Sequence, residues 1–138
     1  DEPMGVFEPG DHGSTFGGNP LGCAVAREAL RVLTDERMVE NSAALGHYLL
    51  DRLQHIDSPA IREVRGRGLW VAVELYAERG GARRYCEALQ AHGLLCKETH
   101  DDVIRFAPPL VITRDEVDWA IDRIRWTISR SSRSPASG

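Results

Sequence analysis

Apolar residues recur every three or four positions in four segments of the chain, at about 20–33, 35–53, 82–90 and 114–128. This spacing puts the apolar side chains on one face of a helix, so it predicts four amphipathic helices. The first two helices are long, and they could pack against another subunit or domain as well as against a core of their own.

Residues with strong capping preferences mark the ends of these helices. Thr34 or Asp35 is placed to cap the start of the second helix. Gly93 is placed to end the third, because glycine readily adopts the left-handed conformation that a helix end requires. Thr113 and Glu116 have the spacing of a capping box and predict the start of the fourth helix.

Four shorter segments have the features of strands. Leu69–Leu75 alternates apolar and polar residues, which is the period of a half-buried strand. Ile61–Arg65 precedes it across a turn at 66–68, where glycines predict a change of direction. Leu94–Cys96 and Val103–Phe106 flank a polar turn and complete the set.

The order of elements is two helices, two strands, a helix, two strands and a helix. This order predicts a two-layer α+β fold with helices on one face of a short sheet. We divide the chain into an irregular segment at 1–18, linking helices at 19–55, a small α+β domain at 56–128 and a tail at 129–138. The tail is rich in Ser, Arg, Pro and Gly, and we expect it to be disordered.

Composition narrows the class of protein. A chain of 138 residues fits one domain with room for a core. The net charge of −4 gives no support for nucleic-acid binding, and no long apolar run predicts a membrane span. The three cysteines share no metal-ligand spacing and fit free thiols in a reducing cytoplasm. We therefore expect a cytoplasmic protein without a metal site.

The segment His12–Gly22 (HGSTFGGNPLG) carries candidate chemistry immediately before the first helix. Its glycines let a ligand approach the main chain closely, and Ser14 and Thr15 add hydroxyl donors. A helix that starts near Pro20 directs its positive end to the same place. This combination suits a phosphate group, although a flexible surface loop has a similar composition.

Three stretches carry a resemblance to a known family: HGSTFGGNPLGC at 12–23, GLLCKETH at 93–100 and VIRFAPPLVI at 103–112. With Gly66-Arg67-Gly68-Leu69 between them, they resemble the C-terminal part of the class III pyridoxal-phosphate aminotransferases, above all the ornithine aminotransferase group. The resemblance extends to about residue 128. It implies the small domain of a fold type I enzyme, with a mainly antiparallel sheet, and the segment that joins it to the large domain.

The resemblance also implies roles for three residues. Thr15, aided by the backbone N–H of Ser14, would contact the phosphate of a pyridoxal 5′-phosphate that is shared with a partner chain of a dimer. Arg105 matches the arginine that binds a substrate carboxylate, to which its planar guanidinium is suited. The implied reaction moves the δ-amino group of ornithine to 2-oxoglutarate and links arginine and ornithine breakdown to proline synthesis.

One residue that the family requires has no match here. The family holds its cofactor as a Schiff base on a lysine. Lys97 is the only lysine among 17 basic residues, it does not match that position, and we expect its side chain to be solvated. Arginine cannot substitute, because its guanidinium stays protonated. We therefore expect no catalytic residue in this chain, which begins at Asp1, and activity only together with an upstream large-domain polypeptide.

Other interpretations stay open at this stage. An acetylornithine aminotransferase or another ω-aminotransferase would share the same motifs. In a different class, the chain would be a non-catalytic remnant or an interaction module. From the residues alone, Arg105 is equally an ordinary surface arginine, since on a strand it shares a face with Val103, opposite Ile104 and Phe106.

Overall fold

The computed structural model describes residues 5–6, 8 and 10–131, and the chain divides into two compact units, 1–37 and 38–138. The first helix belongs to the first unit and the second helix to the unit that contains the sheet, although the sequence grouped both as linking helices. Parts of the predicted N-terminal segment and of the predicted tail lie outside the described residues, at 1–4, 7, 9 and 132–138.

The predicted order of helices and strands is confirmed. The elements are α1 Pro20–Asp35, α2 Met38–Gln54, β1 Ile61–Arg67, β2 Trp70–Leu75, α3 Arg83–Ala91, β3 Lys97–Thr99, β4 Val103–Phe106 and α4 Arg114–Ser131, with a short 3-10 turn at Ala77–Arg79. Because α4 continues to residue 131, the first three residues of the predicted tail are helical. Within the described ranges, no helix is both long enough and apolar enough to span a membrane.

The four strands form one sheet in the order β1-β2-β4-β3, and every neighbouring pair is antiparallel. The predicted α+β fold is confirmed. Val71 and Val73 of β2 and Ile104 of β4 are fully buried, and they point toward the helices because alternate residues of a strand face opposite sides. The fully buried large side chains that the helices contribute are Leu53, Tyr85, Leu89, Val117, Ile121, Ile124, Thr127 and Ile128.

Two glycines allow α2 to cross the β1–β2 hairpin at very short range. A Cβ atom added to Gly46 would lie 2.0 Å from the carbonyl carbon of Gly68. Gly68 itself has a φ of +54°, which a side chain would strain. Next to it, the backbone N–H of Leu69 donates to Oγ of Ser42 on α2 at 3.2 Å. Backbone therefore packs against backbone at this crossing.

The predicted capping of α2 by Thr34 or Asp35 is wrong. The hydroxyl of Thr34 donates to the carbonyl oxygens of Leu30 and Arg31, at 3.1 and 2.8 Å, so it lies inside α1. The helix continues through Asp35. Arg37, between the two helices, has a φ of +53°.

Two strand predictions are also wrong in detail. Gly66 lies within β1, opposite Val71, and does not form the turn; a Cβ there would come within 2.6 Å of the carbonyl oxygen of Trp70. The segment Leu94–Cys96 is not a strand, since β3 begins at Lys97. Between α3 and β3, the side chain of Leu94 is buried in the core.

The other two capping predictions are confirmed. Gly93 has a φ of +81° just after α3. At the start of α4, the backbone N–H of Thr113 donates to Oε2 of Glu116 at 2.8 Å, and the N–H of Glu116 donates back to the Thr113 hydroxyl at 3.3 Å. Hydrogen bonds from the backbone and hydroxyl of Thr113 lower the pKa of Glu116.

Candidate functional site

The glycine-hydroxyl loop leads directly into α1, as predicted, but the helix end is already capped. Asn19 is the N-cap, and its Oδ1 accepts the N–H of Gly22 at 2.8 Å. Its Nδ2 donates to the carbonyl oxygen of Phe16 at 2.5 Å. Pro20 has no N–H, so Leu21 carries the only first-turn N–H that the cap leaves. The helix end can therefore contribute little to an anion site.

The hydroxyls of Ser14 and Thr15 lie in the bend before this cap, and both residues are exposed. Along 10–131, no hydrogen bond engages either hydroxyl within the chain. Gly17 makes the bend tight, because a Cβ there would lie 2.9 Å from the Ser14 side chain. Gly13 has no atom within 4 Å of the position of an added Cβ. Two hydroxyl donors beside an open backbone fit a phosphate group.

Arg105 lies on β4, on the sheet face that the helices do not cover. Its neighbours in register are Ala72 on β2 and Lys97 on β3. The residue is half-buried, and in the described part of the chain its guanidinium makes no hydrogen bond or ion pair. A guanidinium in this state can bind a carboxylate through two parallel hydrogen bonds.

An open depression of about 350 Å³ surrounds Arg105. Trp70 contributes an aromatic surface to it and is 65% exposed. Its lining residues are Arg65, Gly66, Trp70, Val71, Ala72, Thr99, His100, Val103 and Arg105. Sequence reasoning found Arg105 here but missed Trp70 and Thr99. The alternation of Leu69–Leu75 was the signal for Trp70, because it puts Trp70 on the polar side of β2.

A network of ion pairs occupies the neighbouring part of the same face. Glu74 accepts from Arg62 at 2.8 Å and from Arg65 at 2.5 Å, and Arg65 also donates to Glu63 at 2.8 Å. The hydrogen bond between Arg65 and Glu74 raises the pKa of Arg65 and lowers the pKa of Glu74. The negative charge of Glu74 is therefore compensated by Arg62 and Arg65, and Glu74 makes no ion pair with Arg105.

The cysteines and histidines offer no alternative chemistry. Burial raises the pKa of the thiols of Cys86 and Cys96, so neither is an activated nucleophile. Cys23 is exposed on α1. Across the described residues, no group of His, Cys, Asp and Glu has the arrangement of a metal site.

Comparison with known proteins places these features in context. A family model described as Aminotransferase class-III matches residues 1–128. The ornithine aminotransferase of Halalkalibacterium halodurans is 59% identical over 91% of this chain and 31% of its own length. The chain therefore spans about a third of the length of the curated relatives it matches.

Solved structures agree with this match. The ornithine aminotransferase of Toxoplasma gondii, whose active site holds pyridoxal phosphate at partial occupancy, has a TM-score of 0.81 and 44% identity, over 93% of this chain and 31% of that one. The acetylornithine aminotransferase of Elizabethkingia anophelis has a TM-score of 0.78 and 42% identity, over 91% of this chain and 34% of that one.

Proposed function

This chain belongs to the class III aminotransferase family, and from that premise we propose that it is part of an ornithine aminotransferase. The complete enzyme would transfer the δ-amino group of ornithine to 2-oxoglutarate, giving glutamate semialdehyde and glutamate. The observation that carries this proposal is the 59% identity to an ornithine aminotransferase over 91% of the chain. The geometry supports it with an arginine suited to a carboxylate and a loop suited to a phosphate.

Arg105 binds the substrate carboxylate in this proposal. 2-Oxoglutarate and glutamate carry a carboxylate beside the reacting carbon, so a fixed guanidinium can orient them, whereas ornithine reacts at its δ carbon, away from its carboxylate. Its half-buried position partly excludes water, which strengthens a charge-assisted hydrogen bond. The absence of an internal partner for Arg105 in the described chain means that no existing ion pair has to break.

Ser14 and Thr15 bind the cofactor phosphate. Pyridoxal 5′-phosphate supplies an electron sink for the transfer of the amino group when it is bound. The hydroxyl of Thr15 and the backbone N–H of Ser14 would donate to its phosphate, which is held mainly by a partner chain of a dimer. Because Asn19 already caps α1, these loop donors carry the contact without help from most of the helix end.

The remaining chemistry lies outside these 138 residues in this proposal. Lys97 is the only lysine, and it lies on the edge strand β3. The Schiff-base lysine would come from a large-domain polypeptide of the same enzyme, and the assembly would work in the cytoplasm. We expect the isolated chain to have no transaminase activity.

Reconstitution tests the proposal. The chain is purified alone and together with the polypeptide encoded upstream of it, and both samples are assayed with ornithine, 2-oxoglutarate and pyridoxal phosphate. Activity in the mixture only is expected. Activity of the isolated chain would contradict the argument from the absent lysine. A mixture that neither associates nor reacts would favour the interpretation as a non-catalytic remnant instead.

Two variants test the residue roles in the active mixture. Thr15→Ala should weaken retention of pyridoxal phosphate about 10-fold or more, since a hydrogen bond to a charged group contributes roughly 1.5–3 kcal/mol. Thr15→Ser keeps the hydroxyl and is the matched control. Arg105→Gln should mainly raise KM for 2-oxoglutarate, while Arg105→Lys should recover only part of the loss because lysine cannot bind bidentately. Unchanged cofactor retention in Thr15→Ala would refute the phosphate role.

A second candidate function is acetylornithine aminotransferase. The observation in its favour is the 42% identity to the enzyme of that name from Elizabethkingia anophelis. The same reconstituted mixture discriminates the two, because a preference for N-acetylornithine over ornithine as amino donor would select this candidate.

A further inference from the structure

The outer face of α4 carries a narrow stripe of charged and aromatic side chains. The opposite face of the helix packs into the core, and its fully buried side chains include Val117, Ile121 and Ile128. At 3.6 residues per turn, the stripe covers about 100° of the helix circumference. Its members are Asp115, Trp119, Asp122, Arg123, Trp126 and Arg130.

Two tryptophans, two helical turns apart, form the apolar part of this α4 stripe. Trp119 is 43% exposed and Trp126 is 45% exposed. The guanidinium carbon of Arg123 lies 3.5 Å from the ring centroid of Trp119, and that of Arg130 lies 4.7 Å from the ring centroid of Trp126. Tryptophan and arginine are the residue types that are enriched at the centres of protein interfaces. The stripe therefore has the composition of a docking surface.

The charges of the α4 stripe run from acidic to basic along the helix. Asp115 and Asp122 precede Arg123 and Arg130. In the part of the chain that the structure describes, none of these four forms an ion pair, whereas Asp118 on the flank of α4 accepts a hydrogen bond from α2. The helix dipole explains an acid in the first turn and a base in the last. It does not explain Asp122 and Arg123 in the middle, whose charges stay available to a partner.

The α4 stripe is complementary to itself about the midpoint between Asp122 and Arg123. A second α4 laid antiparallel across this midpoint brings Asp122 of each copy to Arg123 of the other. The same arrangement pairs Asp115 with Arg130 at both ends, and it pairs the two tryptophans with each other. A parallel arrangement would instead place like charges side by side. The pattern therefore fits a two-fold axis, at which the same patch of both copies meets.

We propose that the α4 stripe is a docking surface for a second copy of this chain, through an antiparallel α4 pair. Charge complementarity identifies the occupant, because all four charges of the stripe find an opposite charge in the second copy. A shallow depression of about 280 Å³, lined by His92, Asp122, Arg123 and Trp126, lies where it would accept Trp119 of that copy. This contact uses none of the residues of the proposed function and does not depend on it.

Sedimentation velocity of the full chain over a series of concentrations tests the proposal. The wild type should show a reversible equilibrium between monomer and dimer. Asp115→Arg puts like charges at both ends of the α4 pair, and Arg130→Asp does the same. Each variant should raise the Kd of the dimer about 10-fold or more, since two exposed contacts change from attraction to repulsion.

A mixture of the two variants separates this contact from any other self-association. In a heterodimer of Asp115→Arg with Arg130→Asp, opposite charges meet again at both ends, so the mixture should associate more tightly than either variant alone. The double variant with both substitutions should dimerise like the wild type for the same reason. Arg125→Asp makes the same charge change at an exposed position of α4 outside the stripe and should leave the Kd unchanged. Circular dichroism identifies any variant that fails to fold.

Three results would overturn the proposal. In the first, the mixture and the double variant associate no more tightly than the single variants, which excludes the antiparallel pairing. In the second, the single variants dimerise as tightly as the wild type, which places the self-association on another surface. In the third, the wild-type chain stays monomeric, and α4 gains protection from hydrogen exchange only when the upstream polypeptide is added, which assigns the stripe to that polypeptide.

Discussion

The crossing of α2 over the β1–β2 hairpin predicts that Gly46→Ala is strongly destabilising. Alanine normally stabilises a helix relative to glycine by about 1 kcal/mol. Here its Cβ would lie 2.0 Å from the carbonyl carbon and 2.2 Å from the carbonyl oxygen of Gly68, whereas carbon atoms in contact prefer roughly 3.5–4 Å. Neither partner is a side chain that can rotate away, so the helix must move. An overpacking cost of about 3 kcal/mol less the helical gain leaves a net loss of about 2 kcal/mol.

Urea denaturation followed by far-ultraviolet circular dichroism measures this loss. In a thermal melt of a cooperative unit of about a hundred residues, the same net loss near 2 kcal/mol lowers Tm by roughly 10 °C. His47→Ala, at the next and exposed position of α2, is the matched control and should change stability by less than about 0.5 kcal/mol. A Gly46→Ala variant as stable as the wild type would refute the close backbone contact.

Two further predictions concern the capping box and the thiols. Thr113→Ala should cost about 1 kcal/mol by chemical denaturation. Hydrogen bonds from Thr113 lower the pKa of Glu116. The stabilising effect of the Glu116 carboxylate is therefore complete above its unfolded pKa and is lost as the pH falls through its folded pKa. Below pH 4.5 the wild type should lose more stability than the Glu116→Gln variant. An equal acid response would contradict this. With a thiol-specific reagent at mildly alkaline pH, Cys23 should react first, and Cys86 and Cys96 only after unfolding, since burial raises their pKa; three equally fast thiols would contradict it.

The features that sequence predicted well depend on neighbours in the chain. The Thr113–Glu116 capping box and the positive φ of Gly93 each involve residues within one helical turn. The alternation along Leu69–Leu75 likewise identifies the buried face of β2 without knowledge of its partners. Thr34 shows the limit of this approach, because its hydroxyl is equally able to bond backward inside a helix, and it does so here.

The features that the sequence analysis missed depend on pairing between residues that are far apart in the chain. Leu94–Cys96 is as apolar as a strand, but the start of β3 is decided by register with β4, where Lys97 meets Arg105. Gly66 has the composition of a turn, yet pairing with Val71 keeps it in β1. The same dependence applies to the candidate site. The motif pointed to Arg105, whereas its pairing with Lys97 became visible only when the strands were in register.

The two candidate sites differ in how the fold prepares them. At the loop, Asn19 satisfies the start of α1 within the chain, so a phosphate would meet hydroxyls and open backbone, with little of the helix end available. On the sheet, Lys97 and Arg105 are left in a repulsive pair, although Glu74 shows that the same face can neutralise cations. The first site therefore adds nothing unfavourable to the free chain, whereas the second holds an electrostatic cost that an anionic ligand would relieve. On this reasoning, removing one charge from the pair by Lys97→Gln should stabilise the ligand-free chain slightly, by less than about 1 kcal/mol in urea denaturation, and a loss of stability would contradict it.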